Sequence, residues 1–133
     1  MSTFTSIKTS EINKGIVTDL TRKLALGPEN VIARIAFAYS LSKNVKFTPS
    51  DIKDSKGKEY SKNTLFGNNT SYYVSLVCTH YQLYKSDKDI PKYIKMHIDH
   101  GLELINGEVK KSPTLDGFDF IANKIEAGLK FIQ

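Results

Sequence analysis

The spacing of apolar and polar residues divides the chain into one short extended segment and a series of amphipathic helices. Residues 3–8 (TFTSIK) alternate polar and apolar side chains around Phe4 and are rich in β-branched residues, which predicts a short edge strand or ribbon. Thr9 or Ser10 then caps a first helix, in which Ile12, Ile16, Leu20 and Leu24 recur every four residues as one apolar stripe. Gly15 lies inside this helix, where glycine is unfavourable, so a close approach to another backbone is expected there. Gly27 stops the helix and Pro28 suits the first turn of the next. That second helix, ENVIARIAFAYSL, turns Val31, Ile35, Ala38 and Phe37 or Tyr39 inward and ends near Ser42.

Residues 43–64 are rich in Lys, Asp, Ser and turn formers and read as an exposed, mobile basic loop. Asn69 or Thr70 caps a third helix reaching about Tyr84, apolar on nearly every side and so a core or interface helix. A fourth, after Pro91, buries Tyr93, Ile94, His97, Ile98, Gly101, Leu102 and Ile105, and Asn106 with Gly107 stops it. EVKKSPT is a linker, and a fifth helix follows through Phe118, Ile121, Ile125, Leu129 and Ile132. The fold class predicted is mainly α: a short N-terminal strand and about five helices in a single domain spanning residues 1–133. Strand, helix, glycine turn and helix is also the order of ribbon-helix-helix modules, whose strands pair across a dimer and enter a DNA groove.

Composition adds little to this picture: 133 residues with 40% hydrophobic and 25% charged side chains suit one ordinary globular domain. The N-terminal segment lacks the basic start and apolar core of a secretory signal, and no apolar run is long enough to span a bilayer, so a soluble cytoplasmic protein is expected, with no membrane association. Cys78 is the sole cysteine, which excludes an intramolecular disulfide, and its apolar surroundings predict a buried, inert thiol.

Charge changes the picture more. The net charge is +5, and residues 1–62 hold eleven Lys and Arg against six acids, while the remainder balances eight lysines with eight acids. An anionic partner is therefore expected at the first half, nucleic acid first and an acidic protein second. Lys8 before the first helix, Lys14 on it, Arg22 and Lys23 near its end, Lys43 and Lys46 after the second helix, and the amides at residues 29–31 are the expected phosphate contacts. Arg34 interrupts a largely apolar face, and such an arginine seeks a carboxylate or a phosphate.

Catalytic spacing is scarce. His97 and His100 are three apart and could share a helical face as metal ligands, but His97 falls on the apolar stripe and reads better as a core histidine. Glu108, Val109 and Lys110 spell the tripeptide of restriction-type nucleases with Asp99 upstream, yet that motif needs paired strands and Asp99 reads as helical. No phosphate-cradling glycine loop or nucleophile elbow occurs, so neither cofactor nor metal is expected.

Residues 30–41 (NVIARIAFAYSL) resemble the DndE family of bacterial DNA phosphorothioation (sulfur-modification) proteins, which carry a similar Asn-Val-hydrophobic-x-Arg-x-Ala-hydrophobic-x-x-Ser-Leu stretch. LFGNN at residues 65–69 is similar to the family's Phe-Gly element, and MHIDHGLELI at residues 96–105 to its His-x-x-x-Gly helix, matching His97 and Gly101. The resemblance covers a core of about residues 5–107 and leaves an additional C-terminal helix at about 115–132. It implies a mainly helical, ribbon-helix-helix-like, DNA-binding subunit, tetrameric, favouring duplex DNA and nicked duplex in particular, and working with other DNA sulfur-modification proteins that perform the sulfur chemistry. It makes Asn30 and Arg34 the motif residues and the lysines of residues 8–62 the phosphate contacts. Two other readings stay open at this point: a DNA-nicking endonuclease of the same system and a protein-binding adaptor.

Overall fold

A 22-residue helix runs through the middle of the protein and the other elements pack around it. In the computed structural model, which describes residues 4–112 and 116–132, the order is β1 (Ser6–Lys8), α1 (Ile12–Leu24), α2 (Glu29–Ser42), β2 (Glu59–Ser61), α3 (Lys62–Phe66), α4 (Thr70–Tyr81), α5 (Ile90–Lys111) and α6 (Gly117–Ile132). The central helix is α5: Ile90, Ile94, Ile98, Leu102, Ile105 and Val109 recur at three- and four-residue steps and are all buried. Its broadest interface is with α2, where Gly101 meets the backbone of Ala36 so closely that a Cβ would collide with the Ala36 carbonyl oxygen. This is the mainly helical fold expected, with five long helices and a short one.

The strand's partner comes from within the chain. β1 pairs antiparallel with β2, Ser6 opposite Ser61, Ile7 opposite Tyr60 and Lys8 opposite Glu59. Residues 43–64 therefore do more than form a basic loop: they contribute a 3-10 turn at Pro49–Asp51 and the second strand. The alternation that marks β2 is only three residues long, with Tyr60 alone pointing inward, too short to stand out from a Lys-rich surrounding.

Two stripes are rotated from their expected positions. On α1 the buried residues are Asn13, Val17, Leu20 and Leu24, while Ile12 is 63% exposed. One residue is about 100° of helix rotation, and the rotation is set by Asp99 of α5, whose carboxylate Oδ1 accepts from the Ser10 N–H (3.0 Å) and from Asn13 Nδ2 (2.8 Å). Ser10 is thus spent on α5, and neither it nor Thr9 caps α1 through its side chain. Gly15 is exposed with open space around it, so no backbone approaches it. On α2 the buried face is Ile32, Ala33, Ala36, Phe37 and Ser40, with Ala38 exposed. Nearly every side of α2 is apolar, so periodicity could not choose, and the small Ala33 and Ala36 face wins because it permits the Gly101 crossing.

Helix ends differ too. α1 ends at Ala25, left-handed at φ 54°, with Gly27 (φ 130°) in the turn that follows. α4 ends at Tyr81, where Gln82 turns left-handed, and only Val74 and Val77 of α4 are fully buried. Asn106 and Gly107 do not stop α5, because Val109 extends its buried stripe by another turn. α6 docks by Phe120, buried against the Tyr39 ring at 6.3 Å, and by Gly117, which packs on the Leu24 carbonyl. Ile121 is half-buried and Ile125 is 59% exposed, whereas the side chains of Phe118, Leu129 and Ile132 lie outside the described residues. Cys78 is half-buried against the core.

Candidate nucleic-acid interface

Because Asn13, Val17, Leu20 and Leu24 face inward, the rest of the circumference of α1 presents Lys14, Asp19, Arg22 and Lys23 to solvent. Lys14 and Arg22 are eight residues apart, about 12 Å along the axis. Arg22 pairs with Asp19 at 3.1 Å, but both side chains are largely exposed, and such a pair is readily exchanged for a better anion. Lys14 and Lys23 have no carboxylate within 4.0 Å among the described residues. Arg22 and Lys23 rim a depression of about 400 Å³ whose far side carries Asn106 and Lys110 of α5. Lys110 is the cation sequence reasoning missed, because EVKK reads as a linker after Gly107. The signal that finds it is the continuation of the stripe Ile98, Leu102, Ile105 to Val109.

The other expected contacts are dispersed. Lys8 lies across the strand pair from Glu59, 3.9 Å away. Asn30 donates through Nδ2 to the Thr64 carbonyl at 3.0 Å and so fastens the start of α2 to α3. Arg34 is half-exposed and has no carboxylate within 4.0 Å among the described residues. Lys43 sits 4.7 Å above the Tyr39 ring, and Lys46 is exposed. The first turn of α2 does not offer a bare positive pole: Glu29 occupies it, accepting from Thr18 Oγ1 (3.2 Å) and Tyr60 Oη (3.4 Å) with Lys58 3.7 Å away. Burial and this carboxylate push the Tyr60 hydroxyl well above its ordinary pKa. Lys53 is held by Glu103 at 2.8 Å.

Of the histidines, His97 belongs to the interior, while His80 and His100 are half-buried. His97 is fully buried, with Nδ1 2.7 Å from Ser40 Oγ and Nε2 2.6 Å from Tyr81 Oη. Burial, with His80 and His100 nearby, pulls its pKa down to about 4. Among the described residues no three His, Cys, Asp or Glu side chains are grouped to hold a metal. Glu108 and Lys110 lie on a helix and not on paired strands. Glu108 accepts from Tyr39 Oη (2.5 Å) and Lys124 (2.9 Å), and these bonds outweigh its partial burial and hold its pKa low. Among the described residues no helix is long and apolar enough to cross a membrane.

Solved structures share this fold. A DndE from Escherichia coli B7A involved in DNA phosphorothioation modification superposes with a TM-score of 0.62 at 18% identity, covering 79% of this chain and 99% of its own. A double glycine-to-lysine mutant of a DndE involved in DNA phosphorothioation gives 0.63 at 21% identity with the same coverage. Nothing among curated protein sequences matches the chain. The family model described as DNA sulphur modification protein DndE matches residues 6–112, from β1 to the residue after α5, and leaves α6 outside. By that match over most of its length, the chain belongs to the DndE family.

Proposed function

We propose that this chain is a DNA-binding accessory subunit of the DNA phosphorothioate modification system. It engages duplex DNA, preferentially at nicks, as a homo-oligomer of tetrameric order, alongside the cytoplasmic proteins that carry out the sulfur chemistry. The observation that carries this reading is the exposed cations of α1: Lys14 and Lys23 have no carboxylate within 4.0 Å among the described residues, Arg22 has the exposed Asp19, and Lys110 faces Arg22 and Lys23 across a shallow depression that Asp19 also lines. The structural relatives' involvement in DNA phosphorothioation supports the same system for this chain. Cations on exposed helix positions bind backbone phosphates with little base readout, so sequence choice falls to partners.

Fluorescence anisotropy with nicked and intact duplexes of one sequence, at two salt concentrations, tests it, with oligomer mass measured by light scattering. Tighter binding to the nicked duplex is expected, weakening steeply with salt, by about 0.9 logarithmic units per tenfold of salt for each phosphate engaged. The double substitution Arg22→Glu and Lys23→Glu lowers affinity for every sequence alike. Unchanged affinity removes α1 from the contact, and salt-independent binding removes the phosphate mechanism.

A further inference from the structure

On the face of α5 that meets the segment following α2, Phe47, Met96, Asp51, Lys53, His100 and Glu103 surround a cleft of about 330 Å³, with Asp99 in its wall. This is within the range of pockets that hold small molecules. The protein's buried polar groups converge behind it. Ser10, Asn13, Lys95 and Asp99 form one fully buried network, and Ser40 with His97 forms another. Together they are six of the seven buried polar or charged residues among those described. Polar burial on this scale is costly unless the groups are paired, and of these six residues Asp99 is the one that reaches the cleft lining.

The second network runs from the segment after α2 through His97 to His100. The Phe47 N–H can only donate, and it donates to Tyr81 Oη at 3.0 Å. Tyr81 Oη lies 2.6 Å from His97 Nε2, and Ser40 Oγ lies 2.7 Å from both His97 Nδ1 and His100 Nδ1. Partial burial lowers the His100 pKa below its ordinary value, which favours the neutral imidazole. It adds no positive charge to the cleft.

The remaining charges are unbalanced. Asp99 is matched by Lys95 at 3.0 Å, and Glu103 by Lys53 at 2.8 Å. Asp51 uses Oδ2 to cap the turn at Thr48 and has no cation within 4.0 Å among the described residues. Three carboxylates against two ammonium groups leave this cleft negative on a chain whose net charge is +5. Behind the wall, Asn13 Nδ2 bonds Asp99 and approaches Glu103, while Asn13 Oδ1 is the one buried side-chain acceptor without a partner among the described residues.

We propose that this cleft binds a small organic cation, an alkylammonium or alkylguanidinium group, with its charge at Asp51 and Glu103 and its stem against Phe47 and Met96. Phosphate is disfavoured here, so the site is separate from the α1 surface. The source is a free amine or the side chain of a partner's lysine or arginine.

Titration of the full chain at neutral pH with n-butylguanidinium, n-butanol and inorganic phosphate, followed by NMR of the Met96 methyl and His100 imidazole, tests this. Saturable shifts are expected with the guanidinium alone. The double substitution Asp51→Asn and Glu103→Gln abolishes them. Lys53→Gln, which releases Glu103 from an exposed pair, tightens binding by about threefold, the sign opposite to that for an anion site. Thermal melts confirm that each variant folds. A blocked tripeptide containing arginine, binding more tightly than butylguanidinium, assigns a protein partner, and weaker binding assigns a free amine. Absence of saturation, equal shifts with butanol or phosphate, or weaker binding by Lys53→Gln overturns the proposal.

Discussion

Acidification is expected to destabilise this protein through His97 before its shifted carboxylates matter. The imidazole is fully buried between Ser40 and Tyr81, and its pKa falls from 6.5 to about 4 on folding. A histidine with a depressed folded-state pKa contributes its full stability above the unfolded value and loses it as pH falls from there towards the folded value. Between about pH 7 and pH 5 the loss from His97 is about 2 kcal/mol, rising to about 3 kcal/mol near pH 4. His100, lowered by burial, adds in the same direction. Asp54, held low by the Glu11 and Lys56 amides, and Glu108 lose their contributions only below about pH 4.5, so the upper window belongs to histidine. Urea unfolding at constant ionic strength across this window measures it. His97→Gln keeps a polar side chain without the titration and flattens the slope to the residual from His100. A wild type equally stable at both ends of the window, or a variant with the wild-type slope, refutes the reasoning.

Two further outcomes concern packing and buried charge. Gly101→Ala forces α2 away from α5 and costs about 3 kcal/mol, whereas Gly15→Ala, in open space on an exposed helix face, gains about 0.5 to 1 kcal/mol; both are read from denaturation midpoints. Lys95→Met strands Asp99 in the interior and costs about 3 to 5 kcal/mol, while Lys53→Met breaks an exposed pair and costs less than about 1 kcal/mol; similar losses for the two lysines would show that Asp99 is better hydrated than its burial indicates.

The chain's pattern was sufficient for the strand, the existence of the five long helices, the buried role of His97 and the family membership. Each rests on local signals: period, turn residues, and the motif at residues 30–41. The candidate surface was legible in part. Lys14, Arg22 and Lys23 follow from sequence because they share one helix, but Lys110 required α5 to continue past Gly107. Asn30 and Glu29, both plausible at a positive helix pole, turn out to serve contacts with Thr64 and with Thr18, Tyr60 and Lys58.

What a strip of residues determines by itself is which segments are amphipathic, since periodicity is a property of neighbours. Which face of each helix turns inward was decided by partners far away in sequence. Asp99 draws Ser10 and Asn13 inward across about 86 residues and leaves Ile12 in solvent; Gly101 selects the alanine face of α2; Lys58 and the β2 strand close onto Thr9 and β1. The negative cleft beside His100 has the same origin. Phe47, Asp51 and Lys53 come from the basic first half and Met96, Asp99, His100 and Glu103 from the charge-balanced second, and only the fold sets them facing one another.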